Sequence, residues 1–257
     1  MDRLRHRACR VITVVVAPIE FDGTEVELRG DAYHHLFRVR RLQAGESLRV
    51  VDGEGRARRG VVARVDGARA VIAFGAGEPA NEPARRVELW VAPPKPDRVA
   101  WMVEKATEAG VTAIRFVATG RTVREGRSPG AAMLARWHRV ALAAVEQCGR
   151  ARMPDIDGLA PLAARLAAAT ASARRVVVLD AAGARGAAPL LGAPGEPAEL
   201  AILVGPEGGW TEAERAEFAA SGLPLASLGE RALRVETAAV VAAGIALSTG
   251  LARADSR

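Results

Sequence analysis

Two cysteines, Cys9 and Cys148, are all that the 257 residues contain, and their wide separation leaves no cluster at metal-ligand spacing. Such sparse use suits a reducing cytoplasm. His34 and His35 likewise have no acidic or cysteine partner at ligand spacing, so no metal is expected. Long apolar runs are missing too. Residues 11–19 form the longest near the start, far short of the roughly 20 residues that a membrane span needs, so no membrane association is expected. Arg3, Arg5, Arg7 and Arg10 precede that run as in a signal peptide. Pro18 and Glu20, however, stand where a small-residue cleavage site would be, so the reading is an opening β-strand. Lysine is almost absent, since 34 of the 36 basic residues are arginine and only Lys95 and Lys105 are not. Carboxylates fall short of the bases, which leaves a net charge of +6 and an isoelectric point near 10.4. An excess of that sign favours a polyanionic partner such as nucleic acid. It is concentrated in residues 115–152, where eight arginines face only Glu125 and Glu146.

What is present is ordinary globular composition, 49% hydrophobic and 26% charged, enough to bury a real core. Short β-like runs at residues 11–19, 25–28, 47–51, 60–65 and 70–74 are broken by Asp52-Gly53 and Asp66-Gly67, the pattern of a small β-barrel. Residues 75–83 combine glycine, proline and asparagine with few large apolar side chains and read as a linker. The expected domains are therefore residues 1–76 and residues 84–257. Beyond the linker, strands alternate with helices. Strands are expected at 87–92, 113–117, 176–180, 200–204 and 225–228, and helices at 97–110, 131–149, 161–169, 211–220 and 236–251. That alternation specifies an α/β fold with a mostly parallel sheet flanked by helices.

Two junctions are candidates for chemistry. The apolar strand 200–204 runs into Gly205-Pro206-Glu207-Gly208-Gly209, and Thr211 with Glu214 forms a capping box that opens the next helix. Ligands in open α/β sheets bind at the carboxyl ends of strands, and glycine admits a close backbone approach that a Cβ would block. Neither the dinucleotide pattern nor the phosphate-loop pattern is present at this turn. The second junction, residues 225–239, repeats the order of short strand, glycine turn at Gly229 and helix start. Two such loops from neighbouring strands can close on one ligand.

The segments LVGPEGGWTEAE (203–214) and LGERALRVETAAV (228–240) resemble the two cofactor loops of SPOUT methyltransferases. In particular they resemble the RsmE-like enzymes that methylate N3 of a uridine in 16S ribosomal RNA. Residues 95–114, 121–126 and 136–156 agree with that family in order, and residues 31–55 resemble its PUA-like RNA-binding barrel. At Val39-Arg40-Arg41 and Glu108-Ala109-Gly110 the chain departs from the family's usual residues.

The resemblance implies a trefoil-knotted α/β domain preceded by a PUA-like barrel, a homodimer, and S-adenosylmethionine as cofactor. It places Leu203, Val204, Gly205, Gly208 and Gly209 on one side of the adenosine, with Leu228, Gly229, Leu233 and Arg234 on the other. Contacts to small-subunit ribosomal RNA fall to Arg38, Arg40, Arg41, Lys95, Arg121, Arg124, Arg150 and Arg152. In catalysis Arg234 would position the uracil and stabilise its anion, because arginine is a planar donor that cannot accept a proton. Glu236 is either the base or a helix-capping acid. The other readings are a methyltransferase acting on a ribose 2′-oxygen or a transfer-RNA base, and an RNA-binding protein without catalysis. Helix 236–251 is apolar on nearly every face, which a partner subunit would cover.

Overall fold

A computed structural model describes residues 12–122, 129–172, 174–183, 185–192 and 199–248. Cys9, Arg124 and the last residues of the expected helix 236–251 lie outside the described residues. The chain divides into two compact units, one running to Glu82 and taking in Val145–Met153, the other comprising Pro83–Ala144 and the chain from Pro154 on.

In the first unit β1 (Thr13–Val15) and α1 (Pro18–Phe21) precede β2 (Glu25–Leu28) and α2 (Gly30–Tyr33). A π-helical turn at His34–Val39 leads into β3 (Ser47–Val51), β4 (Ala57–Asp66) and β5 (Arg69–Glu78). The strands form one sheet in the order β1-β3-β4-β5-β2, with β1 parallel to β3 and every other pair antiparallel. Val14, Val26, Leu28, Leu48, Val50, Val62 and Ile72 share one core. Both edge strands contribute to that core, β1 through Val14 and β2 through Val26 and Leu28. The expected strand at 11–19 is shorter than its apolar run, since Pro18, with φ fixed and no N–H, opens α1 instead. The expected linker is shorter as well, because Gly77 and Glu78 still pair with Arg58 and Ala57 in the β4–β5 ladder.

Sequence continuity alone does not show that Val145–Met153 belongs to this first unit. Val145 and Ala151 pack with Val51 and Ala57. Nearby, Glu82 accepts hydrogen bonds from the Ala151 and Arg152 amides, each at 2.9 Å, and from Nη2 of Arg150 at 2.8 Å.

The second unit begins with β6 (Arg86–Val91), α3 (Pro96–Ala109), β7 (Ala113–Ala118), α4 (Ala131–Cys148, whose last turn from Val145 belongs to the first unit), β8 (Asp155–Pro161) and α5 (Leu162–Ala171). It continues through β9 (Arg175–Leu179), β10 (Arg185–Gly186), α6 (Ala187–Leu191), β11 (Glu199–Val204), α7 (Glu212–Ala220), β12 (Leu225–Ser227) and α8 (Val235–Ser248). All seven strands are parallel, in the order β10-β12-β9-β11-β6-β7-β8. Central strands covered on both faces must be apolar throughout, and Leu200, Ala201, Ile202 and Leu203 of β11 are fully buried. Helix α3 buries Val99, Met102, Val103 and Ala106 along one stripe and ends at Gly110, whose φ of +106° is open to glycine at no steric cost. Strand β8 has no counterpart among the sequence expectations. It is an edge strand whose Asp155, Asp157 and Gly158 break up any apolar pattern. No helix among the described residues is long and apolar enough to cross a membrane.

Candidate active site

Strands β12, β9 and β11 are adjacent and parallel, so their carboxyl ends and the loops that follow meet at one edge of the sheet. Those loops enclose a cavity of about 300 Å³. Its walls include Val204, Gly205 and Gly209 from the loop after β11, and Leu228, Gly229 and Leu233 from the loop after β12. Trp210 fixes the floor. Its ring is 1% exposed, meets Phe218 edge-on at 5.0 Å, and donates from Nε1 to the Leu179 carbonyl at 2.9 Å. A Cβ on Gly205 would lie 2.8 Å from that ring, so the glycine there answers a demand for space. At Gly209 the demand is conformational. Its φ is +71°, its amide closes a tight turn onto the Pro206 carbonyl at 2.8 Å, and a Cβ would meet no atom within 4 Å.

Three of the expected wall residues, Leu203, Gly208 and Arg234, do not line this cavity. Leu203 is buried in β11 with its side chain in the core, and Gly208 offers its carbonyl to Nη1 of Arg121 at 2.6 Å. A third loop, after β9, completes the cavity with Leu179, Asp180, Ala181 and Ala182. Asp180 is buried, takes two hydrogen bonds from Arg215 at 2.7 and 3.2 Å, and takes a third from the Ala182 amide at 3.0 Å. The Arg215 hydrogen bond holds its carboxyl below the usual aspartate range, against the opposing effect of burial. Sequence reading found this strand but not its role, because no glycine motif follows it.

A second cavity, of about 260 Å³, is lined by Lys95, Arg98, Glu207, Arg234 and Glu236. Glu207 lines the first cavity as well. Glu236 is 4% exposed at the start of α8 and accepts from Nη1 of Arg98 at 2.8 Å. Arg234 and Lys95 are exposed, and among the described residues neither side chain makes an ion pair. The capping box expected at Thr211 and Glu214 is present, with Thr211 Oγ1 accepting from the Glu214 amide and the Glu214 carboxylate accepting from the Thr211 amide. The same carboxylate also accepts from the Gly120 amide at 2.8 Å, which ties the loop after β7 to the glycine loop.

Residues 81–247 match the family model described as an RNA methyltransferase domain, and residues 28–74 match an RNA methyltransferase PUA domain. The chain belongs to the RNA methyltransferase family. It is 33% identical over 234 residues to the ribosomal RNA small subunit methyltransferase E of Synechocystis sp., covering 89% of this chain and 75% of the relative. Against the protein of that name from Mycobacterium tuberculosis it is 34% identical, covering 86% of each. Among solved structures it is similar to a probable rRNA-methyltransferase from Porphyromonas gingivalis, with a TM-score of 0.79, 29% identity and coverage of 93% and 98%. The small subunit methyltransferase E from Neisseria gonorrhoeae, bound to S-adenosyl methionine, gives a TM-score of 0.77 at 28% identity and coverage of 91% and 95%.

The basic residues of this methyltransferase divide into two kinds. Arg38, Arg40 and Arg41 are exposed on the first unit, where Arg38 donates to the Gly67 carbonyl at 2.8 Å and Arg40 to Nε2 of His35 at 3.2 Å. Arg121 is exposed and braces the glycine loop, and Arg152 is half-buried. Arg150 corrects the expectation of a phosphate contact. Its side chain is 4% exposed and held by Glu82, so the geometry gives it a structural role. Among the described residues no group of three or more His, Cys, Asp or Glu side chains could hold a metal ion.

Proposed function

We propose that this methyltransferase transfers a methyl group from S-adenosylmethionine to N3 of a uridine in the 16S ribosomal RNA of the small subunit. The observation that carries the reading is the three-loop cavity at the carboxyl ends of β9, β11 and β12. Its size lies at the lower bound for a small-molecule site, roughly 300 Å³, and its donors and walls suit an adenosine. Val204, Leu228 and Leu233 offer apolar surface to a purine, and Gly205, Gly209 and Gly229 bare the backbone beside it. When bound, the cofactor supplies an electrophilic methyl group on a sulfonium. Arg234, exposed on the adjoining cavity, faces the uracil and stabilises the negative charge on its ring oxygens. Glu236, buried against Arg98, holds the start of α8 in place.

The same family reading brings a trefoil knot through β9 to α8, a cytoplasmic location and a homodimer. Support for the dimer comes from Trp101 on α3, 43% exposed, and Val241 on α8, 42% exposed, which stay uncovered on two helices that pack together. Sedimentation should find a dimer at micromolar concentration, and Trp101→Glu should shift it toward monomer. A wild-type monomer at that concentration defeats the dimer. The activity itself is tested by incubating the protein with S-adenosylmethionine and small-subunit particles, then digesting the RNA for mass spectrometry. The expected product is 3-methyluridine at one nucleotide. A 2′-O-methyl product, or none, would replace this reading with one of the other two.

A further inference from the structure

The uracil N3 carries a proton at neutral pH, and the reaction proposed above needs a group to receive it. Two carboxylates line the cavity that holds Arg234, and they differ in every respect that matters. Glu236 is 4% exposed and its carboxylate is already engaged by Arg98 at 2.8 Å, an ion pair that a proton would disrupt, which makes it a poor proton acceptor. Glu207 is exposed and is shared by the walls of both cavities. It is held at that junction by its neighbours, because the amide of Gly209 closes the turn onto Pro206 and Arg121 pins the carbonyl of Gly208.

We infer that the cavity lined by Lys95, Arg98, Glu207, Arg234 and Glu236 receives the target uracil, with Glu207 as the proton acceptor and Arg98 as a positioning residue that keeps Glu236 out of that role. The inference rests on the uridine-N3 reading. In the step, the N3–H bond breaks and its proton passes to the Glu207 carboxylate. The N3 electron pair forms the bond to the methyl carbon, whose bond to the sulfonium sulfur breaks with its electrons remaining on sulfur. Lys95 and Arg234 donate to the uracil oxygens while the ring carries negative charge. Glu207, open to solvent, then returns its proton to water.

Single-turnover methylation of small-subunit particles as a function of pH, with calorimetric titration of S-adenosylmethionine in parallel, tests the assignment. Glu207→Gln should slow the reaction by about 10²–10⁴-fold, the usual worth of a general base, with cofactor affinity within twofold of wild type. Its residual rate should climb toward alkaline pH as the uracil ionises unaided, and formate should restore rate to Glu207→Ala. Glu236→Gln should keep the wild-type pH profile. A Glu207→Gln enzyme at the wild-type rate overturns the inference, as does a loss of rate matched by an equal loss of cofactor affinity. If the wild type makes no 3-methyluridine, it is the underlying reading that fails.

Discussion

Trp210→Ala should lower the stability of the second unit and abolish cofactor binding together. The indole is fully enclosed, packs edge-on against Phe218, and its N–H satisfies the Leu179 carbonyl at the end of β9. Truncating a buried tryptophan costs roughly 3–5 kcal/mol through lost packing and the void left behind. The void would open beneath Gly205, whose backbone lies against the ring, so the loops after β9 and β11 lose their common support. Trp210→Phe keeps most of the packing and loses the hydrogen bond, for a smaller cost of about 1–3 kcal/mol. Thermal unfolding and calorimetry with S-adenosylmethionine read the two effects separately. Full cofactor affinity in the alanine variant would mean that the ring does not set the cavity's shape.

Glu82→Ala should destabilise the first unit by about 3–5 kcal/mol, the usual loss when one partner of a buried ion pair is removed. Glu82 is a small acidic residue by composition but a hub by geometry. It accepts from Nε and Nη2 of the buried Arg150 and from the amides of Ala151 and Arg152. Without it, the turn 149–153 loses what anchors it beside Val51 and Ala57. Arg121→Ala, at an exposed arginine, is the control and should stay within about 0.5 kcal/mol of wild type. If the two variants unfold alike in denaturant, the Glu82 cluster contributes nothing to the fold.

These two positions also mark where sequence reading stopped. Strand β11, the glycine turn after it and the Thr211–Glu214 capping box are local patterns, each complete within a dozen residues, and all were legible. Asp180 and Arg215 are 35 positions apart, Arg98 and Glu236 are 138 apart, and no local pattern announces either pair. Arg150 read as a contact to RNA phosphate because it lies in an arginine-rich stretch. Its burial follows from Glu82, 68 residues earlier. Periodicity says which face of a helix is apolar but not which core receives it, so the assignment of Val145–Met153 to the first unit was out of reach. The glycines were read as admitting a close ligand, whereas in the structure Gly205 yields space to the Trp210 ring and Gly209 yields conformation.

The carboxylate of Glu214 closes the first turn of α7 and at the same time grips the amide of Gly120. A single side chain therefore ties the loop that bears Arg121 to the loop that bears Gly205 and Gly209. Two segments joined in this way cannot be ordered independently. Whatever factor a ligand on one of them contributes to binding at the other, the second ligand contributes the same factor to the first.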